Sequence, residues 1–191
     1  MQREALALLG PLFTRLVRKE DVRQQLARAP GIEPAVLKAA LAHINSYRPN
    51  ARNLVRASYP VVFRPGASAD AYRRALLQAE EAARLVADNG DVLNTLAAAQ
   101  YRTGQYRAAL ETLARCETIN REAVKGPYPY DLAFQCMARH RLGQGKAAAA
   151  ALASLRESAA TPRWAGNGQV QGLLREAEEL LRSTRGEGTN E

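Results

Sequence analysis

Apolar positions recur about every 3.6 residues along most of the chain, which is the period of an α-helix. In residues 2–17 this apolar face is rich in leucine, and Gly10-Pro11 is expected to break it. A short helix is predicted at residues 21–29. Pro34 is well placed as the first residue of the next helix, whose apolar positions continue to Tyr47. Together these segments predict a basic N-terminal helical region at residues 1–50.

The remaining segments are also helical in pattern, and proline and glycine mark their ends. Residues 53–63 carry apolar side chains, although Pro60 should kink or shorten a helix there, and Arg64-Pro65-Gly66 predicts a turn. A linker is predicted from Thr161 to Gly168. The last helix has one apolar face, formed by Val170, Leu173, Leu174, Ala177, Leu180 and Leu181. Linker and capping helix are therefore assigned to residues 161–185, and a polar tail to residues 186–191.

An internal repeat lies between these two ends. The matching pairs are Tyr72 and Tyr106, and Ala75 and Ala109, at an offset of 34 residues, then Gly104 and Gly143, and Ala109 and Ala148, at an offset of 39. The five additional residues fit the turn-rich stretch 125–129. Glycine adopts the positive φ that a tight turn requires, and alanine lets two helices approach closely. The pattern predicts antiparallel helical hairpins over residues 69–158, with these glycines in the turns and these alanines at helix contacts.

The repeat resembles the tetratricopeptide repeat (TPR), a helix–turn–helix unit. The matching positions in the clearest copy are Leu93, Leu96, Ala97 and Gln100 in the first helix, Gly104 in the turn, and Tyr106, Ala109, Leu113 and Cys116 in the second helix. The copies are assigned to residues 51–89 (partial), 90–120 and 130–158, within a repeat region of residues 51–160. The resemblance implies an all-α fold, with the hairpins stacked as a short right-handed solenoid.

A longer block of the chain, at roughly residues 10–182, is similar to the TPR block near the C-terminus of large bacterial proteins. In those proteins a serine/threonine kinase or a β-propeller commonly lies upstream. No kinase activity carries over, because no such catalytic domain is recognisable in this sequence. The resemblance implies a non-enzymatic protein–protein interaction module or scaffold of a bacterial signalling protein, in the cytoplasm.

In the TPR family the first helix of each hairpin lines a concave groove in which partner peptides lie. Carried over by position, the groove residues are Asp91, Asn94, Tyr101 and Arg102 in the second repeat, and Tyr130, Met137, His140 and Arg141 in the third. Ala98 and Ala133 also fall on this face, and they and Met137 depart from the pattern that clamps a C-terminal carboxylate.

Composition supports the helical assignment and adds a second functional hypothesis. Alanine, the best helix former, accounts for 37 of the 191 residues. The net charge of +8 lies entirely in residues 1–74, which hold 13 basic and 5 acidic side chains. A basic surface at Arg48, Arg52 and Arg56 is therefore the alternative site, in an accessory domain that binds nucleic acid or an acidic protein.

Candidate catalytic chemistry is sparse. Residues 143–146 resemble a phosphate loop but lack its hydroxyl residue and follow a helix. Cys116 and Cys136 occupy packing positions and are predicted to be buried thiols. A nucleophile pair of Cys136 and His140 lacks an orienting acid and an oxyanion hole. No metal and no cofactor are expected, and no apolar run is long enough to span a membrane.

Overall fold

A computed structural model describes residues 2–123 and 128–186. This part of the chain is all-helical, without a strand. Its helices are α1 (Gln2–Leu16), α2 (Lys19–Arg28), α3 (Pro34–His43), α4 (Ala51–Val62), α5 (Ala69–Leu85), α6 (Gly90–Arg102), α7 (Tyr106–Ala123), α8 (Pro129–Arg141), α9 (Gly145–Ala160) and α10 (Gly168–Gly186). The expectation of an all-α protein is confirmed.

The first three helices pack around a core of their own, in which Leu9 and Phe13 of α1 are buried and the Phe13 and Tyr47 rings stack at 4.7 Å. The predicted break at Gly10-Pro11 is wrong, because α1 continues through Pro11. Buried apolar residues on both sides of the proline hold the helix together despite the lost backbone hydrogen bond. This unit contacts the rest of the protein through α1, which packs on α4 and α5.

Helices α4 to α10 pack in chain order, each against the next, and alternate helices also meet: α4 with α6, α6 with α8, and α8 with α10. The predicted turn glycines are confirmed. Gly104 and Gly143 have φ of 81° and 72°, in the left-handed region that favours glycine. Ala75, Ala109 and Ala148 are buried, as small residues at helix contacts should be.

Side-chain caps explain where several of these helices begin. Asn50, Ser68 and Asn89 accept hydrogen bonds from backbone N–H groups in the first turns of α4, α5 and α6. Asn167 Oδ1 accepts from the backbone N–H groups of Gln169 and Val170 at the start of α10, at 3.1 and 3.0 Å. Because Asn50 caps α4, Arg48 lies outside that helix.

Helix α4 contains Pro60 near its end and stops at Val62, so the proline comes shortly before the helix terminus. Helix α10 reaches Gly186, which is further than the predicted capping helix. The rest of the predicted tail, residues 187–191, and residues 125–127 of the predicted turn lie outside the described residues. None of the helices in the described part combines the length and apolar character needed to cross a membrane.

Candidate binding surface

One of the predicted groove positions lies where α6 and α8 meet. Asn94 of α6 is buried, and its Nδ2 donates a hydrogen bond to Oδ1 of Asp131 on α8, which is buried as well. The Cys116 thiol of α7 donates to the Gly90 carbonyl at 3.3 Å, and its sulfur lies 3.6 Å from the same Asp131 oxygen. Asn94 therefore joins two helices and presents almost no surface to a partner.

Arg102, at the end of α6, bridges four elements. Its Nε donates to the Val62 carbonyl of α4 at 2.8 Å, and its guanidinium makes a two-pronged ion pair with the Glu176 carboxylate of α10, with Nη2–Oε2 at 2.8 Å. The guanidinium carbon also lies 5.6 Å from the ring centres of Tyr101 and Phe134. Only 6% of the Arg102 side chain is exposed. Burial opposes its charge, but the hydrogen bonds and charge of Glu176 outweigh this and raise the Arg102 pKa.

Aromatic side chains fill the space between the alternate helices. Phe63, directly after α4, packs edge-on against Tyr130 and Phe134 of α8, with ring centres 5.5 Å apart in each case. Tyr130 also packs edge-on against Trp164. Met137 is fully buried. Tyr130 and Met137 thus belong to the main core, and the structure leaves them little or no surface for a partner.

The other predicted groove positions differ in exposure. Asp91 and Arg141 are exposed and His140 is half-buried, whereas Tyr101 is buried. Burial raises the Tyr101 pKa, and the Arg141 side chain bonded to its hydroxyl partly offsets the rise. Burial and the neighbouring Arg141 charge lower the pKa of His140.

An open groove remains between α4 and α10, with a volume of about 620 Å³. Its apolar lining comes from Tyr59, Pro60, Phe63 and Pro65, while α10 contributes two glycines, Gly168 and Gly172, among polar side chains. The Tyr59 hydroxyl donates to Gln169 Oε1 at 2.8 Å and so ties α4 to α10. Burial raises the Tyr59 pKa above its ordinary value.

The alternative basic residues do not converge on one cavity. Arg52 and Arg56 lie one turn apart on the exposed face of α4, and Arg48 precedes that helix. Arg56 lines a second cavity, of about 690 Å³, together with Arg15 of α1 and Arg74 of α5. The excess of positive charge in residues 1–74 predicted a basic surface in this part of the chain. It did not indicate that Arg15 and Arg74 line the same cavity as Arg56.

Both cysteines are buried thiols, as predicted, and neither forms a disulfide. Burial raises the Cys136 pKa to about 11, and Arg156 offsets part of that rise. A thiol with this pKa stays protonated at neutral pH and is a weak nucleophile. In the described ranges no group of three His, Cys, Asp or Glu side chains is placed to hold a metal ion.

Sequence reasoning missed Tyr59, Gln169 and Glu176, which connect α10 to α4 and α6. Comparison of the chain with models of protein families, with curated proteins and with solved structures gives no match. A function for this chain therefore has to be argued from its own residues.

Proposed function

We propose that the protein is a non-enzymatic interaction module in which α4–α5, α6–α7 and α8–α9 form TPR-like hairpins, stacked as a short right-handed solenoid and capped by α10. A peptide segment of a partner protein binds in the groove between α4 and α10. The groove is the observation that carries this proposal, since within the described residues it is an open part of the surface formed by the alternate helices.

Equivalent turns in successive hairpins support the repeat. After α6, the Gly104 N–H donates to the Tyr101 carbonyl at 3.0 Å and the Gln105 N–H to the Gln100 carbonyl at 2.8 Å. After α8, residues 39 positions later make the same two bonds, each at 2.9 Å. The contacts between alternate helices are those expected when first helices of neighbouring hairpins lie side by side.

The groove has the chemistry of a peptide site. Tyr59 and Pro60 supply contact area along α4, and tyrosine is common among binding hot spots. Arg64, Arg175 and Glu179 add charge of both signs at its edges. A peptide with one or two apolar anchors flanked by polar residues fits this lining.

Gly172 allows a direct test, because a Cβ built there meets only the tip of Arg175, at 4.0 Å. Peptides are selected from a random display library on the full chain, and their affinities are measured for the wild type, Gly172→Ala and Gly172→Leu. We expect Gly172→Leu to fill the groove and weaken binding at least tenfold, and Gly172→Ala to bind within about threefold of the wild type.

Circular dichroism checks that both variants keep the wild-type helix content. Equal binding to all three proteins places the peptide site elsewhere and contradicts the proposal. Failure to select any peptide that competes at the groove also counts against it.

A further inference from the structure

The cavity between α1, α4 and α5 concentrates positive charge. Arg15, Arg56 and Arg74 line it, one from each helix, and its lining includes no acidic residue. The residues that line it on α4 and α5, such as Asn53 and Arg56, or Ala71 and Arg74, are three positions apart and so share one face of each helix. Three segments distant in sequence thus bring guanidinium groups to one concave volume.

These charges lack counterions within the part of the chain that the structure describes. Of the carboxylates of α5, Asp70 pairs with Arg73 and Glu81 pairs with Arg84 at 2.6 Å, while Glu80 is exposed and does not line the cavity. Three unpaired guanidinium groups around one cavity raise the local positive potential and repel one another. A bound anion removes this repulsion, and it gains the two-pronged hydrogen bonds that arginine forms with phosphate.

The back of the cavity is built from a buried polar contact. Gln78 of α5 is 5% exposed, and its Nε2 donates to the Thr14 carbonyl of α1 at 2.6 Å. This bond fixes α5 against α1 beside the arginines. Pro11, Ala57 and Val61 give the same cavity an apolar portion, which suits an organic group attached to the anion.

We propose that this cavity binds a small phosphorylated molecule, with the arginines on its phosphate groups and the apolar portion against its organic body. The volume of about 690 Å³ lies in the range of small-molecule sites, about 300–1,000 Å³. A phosphate group carries more charge than a carboxylate and so matches three arginines better. Arg48 and Arg52 are not part of the lining, so the site is a concave pocket and not a stripe that follows a nucleic-acid backbone. This site is independent of the peptide groove.

The test measures binding of pyrophosphate, of ADP and of a single-stranded oligonucleotide to the full chain by calorimetry. Arg56→Gln and Arg74→Gln are compared with Arg107→Gln, which removes the same charge from the exposed face of α7. We expect pyrophosphate and ADP to bind, ADP more tightly. Each cavity variant should weaken both at least tenfold, and the α7 variant should change them less than twofold.

Thermal unfolding without ligand separates binding from structural support. We expect Arg74→Gln to unfold at the wild-type temperature or above it, because the substitution relieves repulsion. A lower unfolding temperature shows a structural role and contradicts the proposal. It is also overturned if neither pyrophosphate nor ADP binds, if all three variants lose affinity equally, or if the oligonucleotide binds more tightly than ADP through Arg48 and Arg52.

Discussion

The bridge from Arg102 to Glu176 should be much costlier to break than an exposed ion pair of the same protein. Only 6% of the arginine side chain and 18% of the glutamate side chain are exposed. Arg102→Leu removes the ion pair, the hydrogen bond to the Val62 carbonyl and the contacts with Tyr101 and Phe134. It leaves the Glu176 carboxylate partly buried and without its partner.

Removing one partner of a buried ion pair typically costs about 3–5 kcal/mol. Glu176 keeps some access to water, so the loss should lie near the lower end, about 3 kcal/mol. For a chain of this length that lowers the thermal midpoint on the order of 10 °C. Urea unfolding at neutral pH, followed by circular dichroism, measures the change in free energy.

A matched control is the pair of Arg156 and Glu178, which also joins α10 to a neighbouring helix. Its nitrogen–oxygen distance is 2.8 Å, but 58% of the arginine side chain and 28% of the glutamate side chain are exposed. Arg156→Leu should therefore cost less than about 1 kcal/mol. The double variant Arg102→Leu/Glu176→Leu should recover at least half of the single-variant loss, because no charge remains unpaired. A cost for Arg102→Leu no greater than that for Arg156→Leu would refute this reasoning.

Three further predictions follow from packing and burial. Ala109→Leu should overpack the contact of α7 and lower the free energy of unfolding by about 1–3 kcal/mol, and an unchanged urea midpoint would count against the repeat register. Neither Cys116 nor Cys136 should react with a water-soluble disulfide reagent until the protein unfolds, and rapid labelling of the folded chain would contradict their burial. Burial raises the pKa of Tyr101 and raises that of Tyr128 to about 12. The protonated hydroxyl groups therefore contribute their whole stabilising free energy below pH 10, and this contribution is lost as the pH rises toward 12. Tyrosinate absorbance should therefore rise together with loss of the helix signal, and ionisation of these side chains in a still-helical protein would contradict the shifts.

Local sequence rules accounted for most helix positions. Pro34 begins α3, and Gly104 and Gly143 occupy left-handed turn positions, because these residues restrict or permit φ wherever they stand. The same local reasoning failed at Pro11. There the penalty of the proline is outweighed by the burial of Leu9 and Phe13 against α2 and α3, which no local rule contains.

The candidate site was less predictable than the helices. The resemblance to the TPR predicted that Arg102 and Tyr130 line a groove, but it did not indicate that other side chains of the same chain fill the space around them. Arg102 pairs with a residue 74 positions later, and Tyr130 packs on Phe63 and Trp164. Similarly, the sequence shows the excess of positive charge near the N-terminus. It does not show that α1 packs against α5, because that contact joins residues that are far apart in the chain.

Side chains of the same chain already cover α6 and α8, which explains why a partner is expected between α4 and α10 and not along α6 and α8. Aromatic rings already occupy the space over α8, and the Arg102–Glu176 bridge reaches across to α10. A partner that used this surface would have to displace a helix of the same chain, which competes at high effective concentration. Near Gly168 and Gly172 part of the apolar surface of α4 stays open, so the peptide proposed above would bind there without that competition.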